Sequence, residues 1–331
     1  MPPPPDLSAY QLSSEESSRI FEAHILPADL DGIPPSPSAQ PLAILAVGQT
    51  GAGKTCLCQG ILDALVRAAR RPAHFIADTY KTHHPAYATL MADTPNLASP
   101  ATGFDARRWL SMAATEAARR RLDVLLESAC RHPDDFTVLL RIFHDAGYRV
   151  EVAVLAVPEG LSRLGILTRY HENLPEGQSR DLPLRLTPVK VHNDSYHGLL
   201  QAAAFLDSSD LAHQVIVVRR DNLVSFAYER GAQRRRLEGS TGIADAVKLE
   251  RNRPLTPREA EIAKQDLDKL AAAPEHADQV VPLAQLLEPL TSSQAEATRA
   301  QFPPLKTLHF GTSTVSNAES GDTVVLRLGI V

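Results

Sequence analysis

The sequence predicts an α/β protein: a doubly wound, mainly parallel sheet flanked by helices, followed by a mostly helical C-terminal extension. Three observations carry this expectation. Short apolar runs alternate with segments of helical spacing from residue 41 to about residue 172, the pattern of a sheet with crossover helices. The first run, Pro41-Leu42-Ala43-Ile44-Leu45-Ala46-Val47, is continuous, as in a strand covered on both faces. A glycine-rich turn, Gly48–Gly53, joins it directly to a helical segment.

The elements follow in order. Residues 1–40 form an N-terminal tail and one helix. Pro2 to Pro5 exclude a helix there, whereas Ser13 with Glu16 three residues on is a helix start of the capping-box type. Ile20, Phe21, His24 and Ile25 then repeat at helical spacing. After the strand at 41–47, residues 54–71 are helical through Leu57, Ile61, Leu62, Leu65 and Ala69. A second strand, His74–Asp78, ends in an acid. Helical spacing at 105–121 leads to a third strand, Leu122–Glu127. A helix at 134–147 closes on Gly147, the fourth strand is Tyr148–Val157, and a helix spans 158–172. Residues 173–190 read as a loop and 191–207 as a helix. Gln214–Arg219 and Leu223–Tyr228 flank the turn residues Arg220-Asp221-Asn222 and suggest a hairpin. Residues 256–273 are helical from a Thr256-Pro257 start. Gly311–Gly321, rich in Ser, Thr, Gly and Asn, reads as mobile. The organisation expected is a tail and helix at 1–40, a core at 41–235 and an extension at 236–331, partly helical and partly flexible.

Composition narrows the function. The chain has 331 residues, enough to bury a large core, and is 44% hydrophobic and 22% charged. Its 34 Lys and Arg against 39 Asp and Glu give a net charge of −5, which argues against a nucleic-acid partner. Three cysteines, Cys56, Cys58 and Cys130, cannot make a closed disulfide framework and imply a reducing compartment. No signal peptide and no apolar stretch long enough to span a membrane is found. The expectation is a cytoplasmic protein with no membrane partner.

The chemistry centres on Gly48-Gln49-Thr50-Gly51-Ala52-Gly53-Lys54-Thr55. It fits G-x-x-x-x-G-K-[ST], the phosphate-binding P-loop, and makes the fold P-loop NTPase-like. Glycines let successive amides converge on anionic oxygens, and the following helix points its positive end at the same place. Lys54 reaches the β- and γ-phosphates and the Thr55 hydroxyl can ligate Mg²⁺, so ATP with Mg²⁺ is the expected cofactor. Asp78 ends the second strand, at the sheet edge where α/β proteins bind ligands. It is a base for a substrate hydroxyl, a carboxylate that helps hold Mg²⁺, or simply a helix N-cap. Arg163, Arg169, Arg180 and Arg185 are candidate cations for phosphoryl transfer. Arg219-Arg220 and Arg234-Arg235-Arg236 read as solvated faces. Glu127, at the end of strand three, is the one candidate for a Walker-B acid. His83, His84, His192 and His197 lack ligand spacing, and a metal reading is rejected for them.

Together these residues resemble the zeta toxin family, whose members are UDP-N-acetylglucosamine kinases of bacterial toxin–antitoxin systems. Four segments carry the resemblance. Gly48–Thr55 is similar to G-Q-x-G-[AS]-G-K-[ST], including Gln49. Ala77-Asp78-Thr79-Tyr80-Lys81-Thr82-His83-His84-Pro85 is similar to the stretch that follows strand two in the family. Leu161–Gly165 with Arg169-Tyr170, and Arg185-Leu186-Thr187-Pro188 with His192 and Asp194, complete it. The resemblance implies that Lys54 binds the β- and γ-phosphates and that Asp78 deprotonates the sugar 3′-hydroxyl. It implies further that Arg169 and Arg185 stabilise the transferring phosphoryl group. Lys81, Glu127 and Arg131 would line the nucleotide-sugar pocket, although Ser128-Ala129 stand where the family has Gly-Thr. A small helical antitoxin protein is the implied partner, with the N-terminal helix as an alternative regulator in cis. Two other readings stay open: a P-loop kinase of another nucleotide or cofactor, and a non-catalytic nucleotide-binding module or switch.

Overall fold

The computed structural model describes residues 6–179, 186–220, 222–230, 242–272, 277–291, 306–307, 309–317 and 321–329. The described strands are β1 (Leu42–Gly48), β2 (Ala73–Ile76), β3 (Val124–Ser128), β4 (Arg149–Leu155), β5 (Gln214–Val218), β6 (Leu223–Glu229), β7 (Lys306–Thr307), β8 (His309–Asn317) and β9 (Gly321–Gly329). The helices are α1 (Ser14–Ile20), α2 (Leu26–Asp29), α3 (Lys54–Arg67), α4 (Tyr87–Asp93), α5 (Pro95–Arg119), α6 (Pro133–Asp145), α7 (Glu159–Ser179), α8 (Val189–Ser208), α9 (Ile243–Asn252), α10 (Pro257–Ala271) and α11 (Ala277–Thr291). A π-helical turn, Phe21–Ile25, fuses α1 to α2.

Strands order as β2-β3-β1-β4-β5-β6-β7. The first five pair in parallel; β6 runs antiparallel to β5, and β7 pairs antiparallel with β6. This is the mostly parallel, P-loop NTPase-like sheet the sequence predicts, with β5 and β6 as its hairpin. β1 lies at the centre and every residue of it is buried, the physical reason for its unbroken apolar run. Alternation along it serves two cores. Ala43, Leu45 and Val47 face α5, α6, α8, α9 and the N-terminal segment. Leu42, Ile44 and Ala46 face α3, α7, α10 and α11. Leu270, Leu283 and Leu287 of the extension thus share one apolar cluster with Leu57 and Ile61 of α3.

Several local signals act as read. Ser13 Oγ accepts from the Glu16 amide, and Thr256 with Glu259 forms a full capping box on α10. Gly147, at φ +78°, follows α6 in the left-handed conformation. Other boundaries move. α5 begins at Pro95, not near 105, and runs through Pro100 and Gly103; packing of Ala98 and Ala101 against Leu90 of α4 and of the later turns against α6 outweighs those two breakers. α7 continues to Ser179, past the end read at 172. The segment Gly311–Gly321 falls mostly within β8 and β9, which pair from His309↔Gly329 to Asn317↔Gly321. Backbone hydrogen bonding thus replaces the mobile loop expected there. Arg180, Arg185 and Arg234–Arg236 lie outside the described residues.

Candidate active site at the carboxyl edge of the sheet

The loop after β1 owes its shape to two glycines. Gly51 and Gly53 have φ of +79° and +98°, where a side chain is strained. A Cβ on Gly51 would also lie 2.1 Å from the Ser162 carbonyl oxygen of α7. The loop therefore folds close under α7 and delivers Lys54 and Thr55 to the first turn of α3. Lys54 Nζ donates to the carbonyls of Gly48 at 2.8 Å and Gln49 at 3.3 Å. Burial lowers the Lys54 pKa, and Asp78 is the strongest of the negative groups that pull it back.

The loop is braced from outside. Arg220 Nη2 donates to the carbonyls of Gly51 and Leu161, both at 2.8 Å, and its Nε donates to the Ala52 carbonyl at 3.1 Å. These bonds fix the carbonyls of Gly51 and Ala52 on the Arg220 side of the loop. Two amides are spent on structure: the Thr50 N–H donates to Ser195 Oγ at 3.0 Å and the Ala52 N–H donates to the Gln49 carbonyl at 3.1 Å. Arg219, for its part, is buried against Glu250 at 2.6 Å. The pair read as a solvated face is thus tied into the fold, Arg219 by the Glu250 carboxylate of α9 and the half-buried Arg220 by backbone carbonyls. Gln49 departs from a ligand role as well. Its side chain is fully buried, with Nε2 donating to the Val157 carbonyl at 2.6 Å, so it shapes the loop from behind and does not face the cleft.

A cleft of about 910 Å³ opens in front of the loop. Thr50, Gly51, Gly53, Lys54 and Thr55 form one wall. Asp78 and Lys81 from the turn after β2, Glu127 from β3, Arg131 from the β3–α6 loop and Arg169 from α7 line the rest. Seven side chains singled out from sequence (Lys54, Thr55, Asp78, Lys81, Glu127, Arg131 and Arg169) therefore share one space, at the size of a small-molecule site. Arg163 pairs with Glu159 at 3.4 Å and is not among the lining residues.

Asp78 occupies the N-cap position of the 3-10 turn Thr79–His83, yet its carboxylate makes no capping bond. It accepts instead from Lys81, and its side chain is 74% exposed to the cleft. The cleft walls alone would raise its pKa; Lys81 first, then Lys54 and Arg131, outweigh them and hold the carboxyl below its ordinary value. The simple capping explanation therefore fails, and an ionised carboxylate lines the cleft.

Glu127 is paired in register with Ala46 of β1 and is nearly buried. His74 Nε2, from the edge strand, lies 2.9 Å from its Oε1. Cys58 sits against the same carboxylate; burial and then Glu127 push its thiol up. Arg131 stands 3.6 Å from Asp194. Sequence reasoning missed Arg107 of α5, which lines the cleft and pairs with Asp135 at 3.1 Å. It missed His74 too, although its alternation with Phe75 on β2 places it on the helix α3 side of the sheet.

For the cation that phosphoryl transfer uses, the donor chemistry fits. The exposed Thr55 hydroxyl lines the same cleft as the carboxylates of Asp78, Glu127 and Asp135, oxygen donors of the kind Mg²⁺ prefers. Among the described residues no group of three or more His, Cys, Asp or Glu could hold a metal alone, so phosphate oxygens would have to complete its shell. No described helix is long and apolar enough to cross a membrane.

Comparison with known proteins agrees with this architecture. The family model described as Zeta toxin matches residues 29–231. Toxin PezT of Streptococcus pneumoniae serotype 4 (strain ATCC BAA-334 / TIGR4) is 25% identical over 213 residues, which cover 63% of this chain and 78% of that protein. A solved structure of the PezAT chromosomal toxin–antitoxin system of the human pathogen Streptococcus pneumoniae superposes with a TM-score of 0.63 at 19% identity. The match covers 81% of this chain and all of that one, a likeness of fold.

Proposed function

This chain belongs to the zeta toxin family, with its kinase-like P-loop fold, and on that premise we propose that it is an ATP-dependent kinase of UDP-N-acetylglucosamine. One observation carries the reading: the phosphate loop with Lys54, and a carboxylate, Asp78, that has no capping role, share one cleft and act electrostatically on each other.

In this mechanism the loop amides and Lys54 hold the β- and γ-phosphates of ATP. Thr55 would hold Mg²⁺, which supplies charge neutralisation across those phosphates. The acceptor's 3′-hydroxyl lies between Asp78 and the γ-phosphorus. As its oxygen bonds to phosphorus, the bond to the β–γ bridging oxygen breaks, ADP leaves and the hydroxyl proton passes to Asp78. Arg169, with Arg185, stabilises the charge of the transferring group, while Lys81, Glu127 and Arg131 hold the acceptor. A small helical antitoxin is the proposed partner and the cytoplasm the proposed site of action.

A different acceptor is a second reading. Ser128 and Ala129, where the family has Gly-Thr, line the cleft, and Arg107 adds a cation to it. The test is a panel of nucleotide sugars, nucleotides and cofactors offered with γ-labelled ATP. UDP-N-acetylglucosamine is expected to be labelled fastest. A clear preference for another compound would replace the acceptor, and binding of ATP without transfer to any would leave only a nucleotide-binding module.

A further inference from the structure

Behind the nucleotide loop lies a cation that the mechanism above does not use. Arg251 is on α9, beyond the residues that the family model matches. Its side chain is almost fully buried, at 5% exposure. Nη2 donates to Gln49 Oε1 at 3.2 Å, and Nη1 donates to the Tyr196 carbonyl at 2.8 Å. The guanidinium carbon stands 3.7 Å above the centre of the Tyr196 ring.

Its neighbours on the chain behave differently. Glu250 binds Arg219 and Arg253, and Arg253 also binds Glu259, so those charges are neutralised by carboxylates. Arg251 forms no ion pair among the described residues. A buried cation is costly when it lacks a carboxylate, and here it is met by an amide oxygen, a carbonyl and an aromatic face. Burial draws its pKa down to about 10, which still leaves it charged at neutral pH.

The amide it grips is tied to the loop at several points. Gln49 Nε2 donates to the Val157 carbonyl and lies 3.4 Å from Ser162 Oγ. Ser162 in turn meets His192 Nε2 at 2.8 Å, and His192 stacks on Tyr196. The Gln49 backbone carbonyl accepts from Lys54 Nζ. Arg251 thus closes a buried ring of contacts around α7, α8 and the start of the loop, and fixes which way the Gln49 amide faces.

We infer that Arg251 is a positioning residue for ATP: by holding Gln49 from behind, it keeps the phosphate loop in its binding shape and places a fixed positive charge on the loop's far side. This rests on the reading of the loop as an ATP site. It makes α9 part of the nucleotide-binding machinery, although Arg251 itself lies outside the cleft.

The test compares wild type, Arg251→Lys and Arg251→Met in the full chain, using a fluorescent ATP analogue for binding and γ-labelled ATP for transfer. Loss of one charge-assisted hydrogen bond predicts a rise of about tenfold or more in Kd and KM for ATP. The KM for the acceptor and kcat stay unchanged, since ground-state binding alone is removed. Arg251→Lys, which keeps the charge but not the fork, recovers part of the loss. If Arg251→Met does not fold, Gln49→Met, which leaves the guanidinium on Tyr196, is expected to show the same rise. Wild-type affinity for the analogue in Arg251→Met or Gln49→Met, or a fall in kcat at constant KM, overturns the inference alone. Wild-type protein that binds no nucleotide overturns both this inference and the ATP-site reading beneath it.

Discussion

Replacing Asp78 with asparagine separates chemistry from architecture. Asp78 donates nothing to the fold that Asn cannot: no capping bond depends on it, its side chain is 74% exposed, and its one ion pair is with Lys81 three residues on. An exposed pair of that kind is worth about 0.2–1 kcal/mol, and an Asn oxygen still accepts from Lys81. Loss of a positioned base, by contrast, costs about 10²- to 10⁴-fold in rate, or about 2.7–5.4 kcal/mol of barrier. The variant should therefore melt close to wild type while its turnover drops at least about a hundredfold. Nucleotide affinity should hold or improve, because Asp78 is the leading negative charge acting on Lys54. Initial rates of label transfer from γ-labelled ATP, beside a titration with a fluorescent ATP analogue, read both quantities. Turnover above about a tenth of wild type would refute the assignment of Asp78 as base. Loss of nucleotide binding in step with turnover would refute the claim that it stands apart from the phosphate cradle.

Two more outcomes follow from other parts of the molecule. A Cβ on Gly198 of α8 would sit 2.0 Å from the Cys130 carbonyl oxygen, so Gly198→Ala must displace the loop carrying Arg131; overpacking of this kind costs about 1–3 kcal/mol. Acceptor KM should rise while the affinity for the ATP analogue is unchanged, and an unaltered acceptor KM would show that this loop does not touch the acceptor. His213 Nδ1 accepts from the Val150 amide at 3.1 Å; burial first, then Arg149 and Arg230, draws its pKa down from 6.5 to about 4. The folded state then binds fewer protons than the unfolded one between those values, so stability is full above pH 6.5 and falls as pH drops toward 4. Urea unfolding at pH 7 and pH 4.5 should show a smaller acid loss in His213→Gln than in wild type, and an equal loss would remove His213 as the cause.

The parts legible in the sequence are those written in consecutive residues. Gly48–Thr55 needs only eight positions to state a strand end, a left-handed turn, a lysine and a helix start. The apolar run before it declares a central strand because both faces of β1 are covered. Asp78 was legible by position, although β2 stops at Ile76 and the acid lies two residues beyond it, in the turn that a parallel sheet brings to the ligand edge. What stayed hidden depends on distant contacts. Arg220 reaches the loop across 168 residues and Arg251 across 202, and an arginine bound for a buried carbonyl looks no different in sequence from one bound for water. Gln49 matched a motif, yet only the fold reveals that its amide turns inward to Val157 and Arg251. Helix limits failed where breakers were outvoted: Pro100 lies inside α5 because that helix buries Trp109, Ala113 and Ala117 against the sheet.

The sheet order separates the phosphate loop from Asp78 along one axis. The loop grows from β1, locked between β3 and β4, whereas Asp78 follows β2, a four-residue strand at the margin with β3 alone beside it. Changes that reshape the margin disturb few other contacts, while changes at the centre unsettle two neighbours and both apolar layers.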